Sequence, residues 1–293
     1  MKTRVFVACL VACVGMGVPL ASTSLAGCGV LAFMDPLVKV TRDSSVAHEK
    51  DKALYIDTEN GSITVGKAAD DKVSIHAEIS AQTQERADKA EVVSTRDKDG
   101  TLHISVKWPD GKRKGSEGCA FKILLPDASL VHAVTTNGHI TCEHIGHDGE
   151  LESTNGTVKV VSMPGGVKGR TTNGNVEFTE VPRADAGTTN GSVVVTLSDS
   201  PEGVVKCETT NGSVTLFVPA GFNQTLDCQT TNGSVNYAVT SAKATKTSKT
   251  HSVLVFGTGE PKGSLETTNG SVPVKVKVKE AERAGEKAPG TGH

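Results

Sequence analysis

Thr209-Thr210-Asn211-Gly212-Ser213-Val214, TTNGSV, recurs verbatim at 188–193, 230–235 and 267–272. Near copies stand at 58–63 (TENGSI), 135–140 (TTNGHI), 153–158 (STNGTV) and 171–176 (TTNGNV). Eight Asn-Gly pairs result: Asn60-Gly61, Asn137-Gly138, Asn155-Gly156, Asn173-Gly174, Asn190-Gly191, Asn211-Gly212, Asn232-Gly233 and Asn269-Gly270. From Asn137 onward the asparagines are 18, 18, 17, 21, 21 and 37 residues apart. The last step divides into 18 and 19 if THSVLV at 250–255 is a worn copy, with Ser252, Val253 and Val255 in the expected places. A near-constant period of this size marks a stacked architecture and outranks local propensity.

The residues around each Asn fall into columns. Three after it stand Ile63, Ile140, Val158, Val176, Val193, Val214, Val235 and Val272. Five after it and four before it the residues are again apolar or small, so all three columns point inward. Four after and three before, the residues vary and are mostly polar, so those columns point outward. Strict alternation cannot carry one face from four before to three after, because seven is odd. The chain must turn at Asn-Gly, where Gly can supply a positive φ and Asn tolerates the left-handed region. Two architectures satisfy this. In a solenoid, Asn-Gly is the corner of each coil and equivalent strands stack in parallel about 4.8 Å apart. In an antiparallel meander it is a hairpin turn. Verbatim repetition at one register favours the solenoid, since stacked Asn and Thr side chains can form ladders. The expected fold class is all-β: a single-domain, β-helix-like solenoid of 17–21-residue coils, with a β-rich N-terminal cap and one short helix within 81–92.

Composition agrees. One Trp, two Tyr and seven Phe in 293 residues leave the core to Val, Ile, Leu and small side chains. From Cys28 onward there are 29 basic and 33 acidic residues, a balance that offers nucleic acid no basic footprint. Lys2 and Arg4 followed by VFVACLVACVGMGV read as a signal peptide over 1–27, too short and interrupted to be a membrane span. LAGC, Leu25–Cys28, resembles the lipobox of bacterial lipoproteins, which implies lipidation of Cys28 and a membrane partner through that anchor. The alternative is cleavage after Ala26 by the small-x-small rule. Residues 28–49 then form a lipidated tether, 50–279 the repeat domain and 280–293 a charged, disordered tail.

Over residues 53–279 the layout resembles the bacterial putative-adhesin β-strand-repeat family. The resemblance rests on an early Asn-Gly strand pair (TENGSITV), a charged short helix (TQERADKAEV), a strand ending at a Pro turn (FKILLP), the repeat array and the closing FGTGEPKGSLETTNGSV. It implies a β-solenoid at the cell envelope without recognised catalytic residues.

Other clusters have plainer explanations. His132, His139, Cys142, His144 and His147 invite a metal reading. Cys142 lies in an inward column and His139 faces out, so no metal and no cofactor are expected. Cys207 and Cys228 share an inward column in adjacent coils, which puts a disulfide between them within reach, with two buried free thiols as the alternative. The Thr pairs do not build a regular ice-binding face, because alternation sends one Thr in and one out. Polysaccharide-cleaving chemistry needs paired carboxylates and aromatic platforms, and no column supplies them. Lys243, Lys246, Lys249, Lys262, Lys275, Lys277 and Lys279 gather late, and VPVKVKVK reads as a charged edge strand or as a contact for anionic envelope polymers. These readings converge on a non-catalytic, lipid-anchored envelope scaffold with an envelope polymer or protein as partner. The competing expectation is an envelope-stress sensor or a module binding peptides or polymers; the oligomeric state is open.

Overall fold

The computed structural model describes residues 36–246 and 248–277. The chain enters through β1 (Val38–Ala47), β2 (Leu54–Asn60), β3 (Ile63–Lys67), β4 (Lys72–Ala81), helix α1 (Gln84–Lys89), β5 (Glu91–Arg96), β6 (Leu102–Lys107) and β7 (Gly118–Leu125). Paired strands follow on either side of each Asn-Gly: β8 (Leu130–Asn137) with β9 (Ile140–Glu143), β10 (Asp148–Asn155) with β11 (Val158–Val161), and β12 (Gly166–Asn173) with β13 (Val176–Val181). Next come β14 (Arg183–Asn190) with β15 (Val193–Leu197), β16 (Val205–Asn211) with β17 (Val214–Val218), and β18 (Thr225–Asn232) with β19 (Val235–Ala238). The chain then forms β20 (Ala242–Lys246) and β21 (His251–Phe256), and closes with β22 (Lys262–Asn269) and β23 (Val272–Val276).

The two strands of each coil lie in different sheets, which removes the hairpin alternative. One sheet has 12 strands, ordered β20-β21-β18-β22-β16-β14-β12-β10-β8-β2-β6-β5. The other has 11, ordered β1-β4-β7-β3-β9-β11-β13-β15-β17-β23-β19. Equivalent strands pair in parallel and in register, Asn on Asn. The column three after each Asn lies in the core: seven of its members are wholly inaccessible, and Val235 of the last coil is 6% exposed. Antiparallel strands close both ends: β1 and β4 beyond β7, β5 beyond β6, and β20 and β21 beyond β18. Thus residues 38–47, expected within the lipidated tether, are a strand of the cap.

The coil order in space departs from sequence order at both ends. β2–β3 sits between the β6–β7 coil and β8–β9. At the other end β22–β23, the last coil in the chain, is inserted between β16–β17 and β18–β19. Three expectations are corrected by this. THSVLV at 250–255 is not a worn coil: its residues 251–255 belong to β21, antiparallel to β18. Over 272–276, VPVKVKVK is not an edge, because β23 is bonded on both sides. Cys207 and Cys228 do not adjoin, since each is in register with Leu265 between them. Two strand spacings put them about 10 Å apart, beyond disulfide reach, and both are free, buried thiols.

The corner also works differently from the expected left-handed turn. No corner Asn has a positive φ, and Gly61, Gly191 and Gly212 have φ of 156–157° or 154°, close to fully extended. Glycine is required by stacking. A Cβ on Gly174 would lie 2.2 Å from the Gly156 carbonyl oxygen, and one on Gly212 would lie 2.0 Å from that of Gly191. The left-handed backbone appears instead at the second corner of the 17- and 18-residue coils, where His144, Ser162 and Glu180 have φ of 54–57°.

Candidate functional site

Two side-chain ladders hold the corners. Each Asn Nδ2 donates to the Oδ1 of the neighbouring Asn, joining Asn232, Asn269, Asn211, Asn190, Asn173, Asn155, Asn137 and Asn60 in one direction at 2.6–2.9 Å. Asn60 ends the series by donating to the Glu117 carbonyl at 2.9 Å. One turn of backbone inward, the first Thr of each phrase buries its hydroxyl and donates to a carbonyl of the adjacent coil. Thr171 reaches Gly156, Thr188 reaches Gly174 and Thr209 reaches Gly191, at 2.8–2.9 Å. Alternation therefore sends the second Thr outward.

The outward Thr residues form a column on the 12-stranded sheet: Thr136, Thr154, Thr172, Thr189, Thr210, Thr268 and Thr231 in spatial order, all exposed. Beside it runs the column three before each Asn, which reads Asp57, Val134, Glu152, Arg170, Gly187, Glu208, Glu266 and Gln229. Gly187 leaves a gap in this row. Arg170 leans across it, with its guanidinium 2.5 Å from Asp185 and 3.5 Å from Glu208. The result is an open groove of about 440 Å³, lined by Arg170, Glu208, Glu266, Gln229 and the outer threonines. Its chemistry is that of a hydrogen-bonding template: threonine hydroxyls repeated at the strand spacing of about 4.8 Å, beside the carboxylates of Glu208 and Glu266, the Gln229 amide and the Arg170 guanidinium. The period revealed these columns in the sequence. The groove was not visible there, because it depends on Gly187 lying between Arg170 and Glu208 and on Glu266 lying between Glu208 and Gln229.

The other candidates disperse. Cys28 lies outside the described residues, as do Lys279 and the tail. His132 stacks on Tyr55 with ring centroids 4.8 Å apart, and Tyr55 stacks in turn on His103 at 5.1 Å. The Glu150 carboxylate lies 3.4 Å from His132 Nδ1. His139 Nδ1 accepts the Thr157 N–H at 2.9 Å, and His147 faces Asp148 at 3.4 Å. Among the described residues no three His, Cys, Asp or Glu side chains converge to hold a metal. Cys119, Cys142 and Cys228 are pushed up to about 12 by burial, and Cys207 is raised for the same reason. Of the late lysines, Lys277 is tied to Glu180 at 2.5 Å and Asp199 at 3.1 Å. Lys275 lies 5.8 Å over the Phe217 ring. Lys243, Lys249 and Lys262 are exposed.

No curated protein matches the sequence. Among solved structures the chain is similar to a putative cell adhesion protein from Clostridium sporogenes, at 12% identity over 81% of this chain and 100% of that one, with a TM-score of 0.42. A putative adhesin from Bacteroides fragilis is similar at 12% identity, over 82% and 97% of the two chains, with a TM-score of 0.39. A putative lipid binding protein from Parabacteroides distasonis is similar at 13% identity, over 82% and 97%, with a TM-score of 0.29. These likenesses give no residue of this chain a role. Residues 127–275, just over half of the sequence, match the Toastrack DUF4097 family, and the chain belongs to that family.

Proposed function

We propose that the protein is a non-catalytic scaffold of the cell envelope, anchored by lipid on Cys28, that engages an extended polymer or protein through its outward threonine face. The observation that carries this reading is the groove along Thr189, Thr210, Thr268 and Thr231, with Arg170, Glu208, Glu266 and Gln229 beside it. Its groups repeat along the solenoid axis on a framework fixed by two hydrogen-bond ladders. A linear partner can meet a threonine hydroxyl at each step without the framework reorganising, which limits the ordering loss on binding. Enclosed sites that favour small molecules are built differently, as concave and mostly apolar cavities.

The test is binding of the purified full-length protein to fractionated envelope polysaccharides and proteins. Replacing the exposed Thr210 and Thr268 by Lys should weaken capture by about tenfold or more while leaving the melting temperature unchanged. Capture that is indifferent to both changes would remove the face from the function. Separately, Cys28→Ala should release the protein from membranes, and membrane retention of that variant would defeat the anchor.

A further inference from the structure

Asn-Gly is the dipeptide most open to intramolecular cyclisation, because glycine places no side chain beside the attacking nitrogen. The backbone N of Gly bonds to the Asn Cγ, the Cγ–Nδ2 bond breaks and ammonia leaves. Water then opens the succinimide at either carbonyl to give aspartate or isoaspartate. A chain carrying this pair eight times should be chemically fragile unless the fold intervenes.

In seven of the eight pairs it does. The N–H groups of Gly61, Gly138, Gly156, Gly174, Gly191, Gly212 and Gly270 each donate to an Asn carbonyl in the neighbouring coil at 2.9–3.1 Å. The Oδ1 atoms of the same seven asparagines each accept from the next Asn in the ladder. Both reactants are held, and cyclisation needs the corner to open first. The eighth pair ends the ladder. Asn232 donates to Asn269 at 2.8 Å, but among the described residues nothing donates to its Oδ1 and Gly233 N–H has no acceptor. Topology is the reason: β19 is the last strand of its sheet, and the strand beyond β18 is the antiparallel β21. Residues 249 and 250 pass close enough to accept from Val235 and Thr230, yet Gly233 lies between those contacts without one. Asn232 is also exposed.

We propose that Asn232 is the site at which the folded protein undergoes spontaneous conversion to aspartate and isoaspartate. The sequence supplies its own control. Asn190, Asn211, Asn269 and Asn232 all lie in the same hexapeptide TTNGSV, so their rates in the unfolded chain should match, and any difference in the folded chain comes from position in the ladder. Conversion replaces the Nδ2 donor by a carboxylate oxygen facing Asn269 Oδ1, and isoaspartate adds a methylene to the main chain at the corner. Either change loosens β18–β19 from β22–β23.

The experiment is peptide mapping by mass spectrometry of the full-length protein after incubation in mildly alkaline buffer, native and in denaturant. In the native sample the peptide holding Asn232 should gain one dalton at least about tenfold faster than those holding Asn190, Asn211 and Asn269. In denaturant the four should convert at similar rates. Equal native rates, a different leading site, or native resistance at Asn232 with all four reactive in denaturant would each overturn the proposal.

Discussion

Two residue types carry the corner, and each is fixed by its neighbour in space. Every interior Asn both gives and receives a ladder bond, whereas Asn232 only gives one. A protein hydrogen bond contributes about 0.5–1.5 kcal/mol net. Asn173→Ala should therefore destabilise by about 1–3 kcal/mol, and Asn232→Ala by about half as much. Denaturant midpoints of the two variants provide the check, and equal losses would mean that the ladder is not acting through pairwise bonds. Glycine is needed for a different reason from the one its sequence context suggested. The pair Asn-Gly looks like a turn with positive φ, but the demand comes from the Gly carbonyl of the adjacent coil, about 2 Å from where a Cβ would be. One repeat read alone cannot reveal that demand, because the obstructing atom belongs to another coil.

At the scale of the element, the N-terminal cap contains a buried ion pair. Thr83 caps α1, its hydroxyl accepting the Arg86 N–H, and the helix presents Arg86 to Glu117. Arg86 Nε and Nη2 donate to the two Glu117 carboxylate oxygens at 2.6 and 2.8 Å. These bonds lower the Glu117 carboxyl from 4.5 to about 2 against the opposing effect of burial, with the Lys114 and Gln82 amides assisting. The folded value is below the unfolded one, so the stabilisation is complete above pH 4.5 and disappears as the pH falls toward 2. Melting temperatures should fall across that window, and Glu117→Gln should flatten the fall while lowering stability at neutral pH. The short helix was legible in TQERADKAEV from its charges, and the structure adds its cap at Thr83. The pairing of Arg86 with Glu117 was not, because 31 residues separate them and no period links the cap to the array.

For the whole molecule, the sequence revealed the period, the inward columns and the solenoid, because every coil obeys the same local rule. That sameness concealed the order of coils. The four TTNGSV copies are consecutive in space but run Asn190, Asn211, Asn269, Asn232, and identical corners stack equally well in either order. Residues outside the phrase discriminate. At Gly263 a Cβ would lie 2.4 Å from the Val205 carbonyl oxygen and 3.1 Å from the Gln224 side chain, so only a glycine-bearing strand fits that slot. Cys207 and Cys228 suggested adjacency because they share a column, and Leu265 occupies the place between them.

The insertion of β22–β23 gives the protein an unusual response to loss of its end. Removing the last repeat of an ordinary solenoid shortens it by one unit and leaves the remainder stacked. Here, stopping translation before Lys262 would open a gap one strand wide in each sheet inside the array and strand β18–β19 with its cap. Such a chain should be cut by proteases within 219–261 while residues up to Val218 resist. Resistance throughout would mean that β18 had closed directly onto β16, bringing Cys207 beside Cys228. The coils on either side of that gap, both made before residues 262–276, therefore wait for that later segment to leave the ribosome before either can meet its proper neighbour.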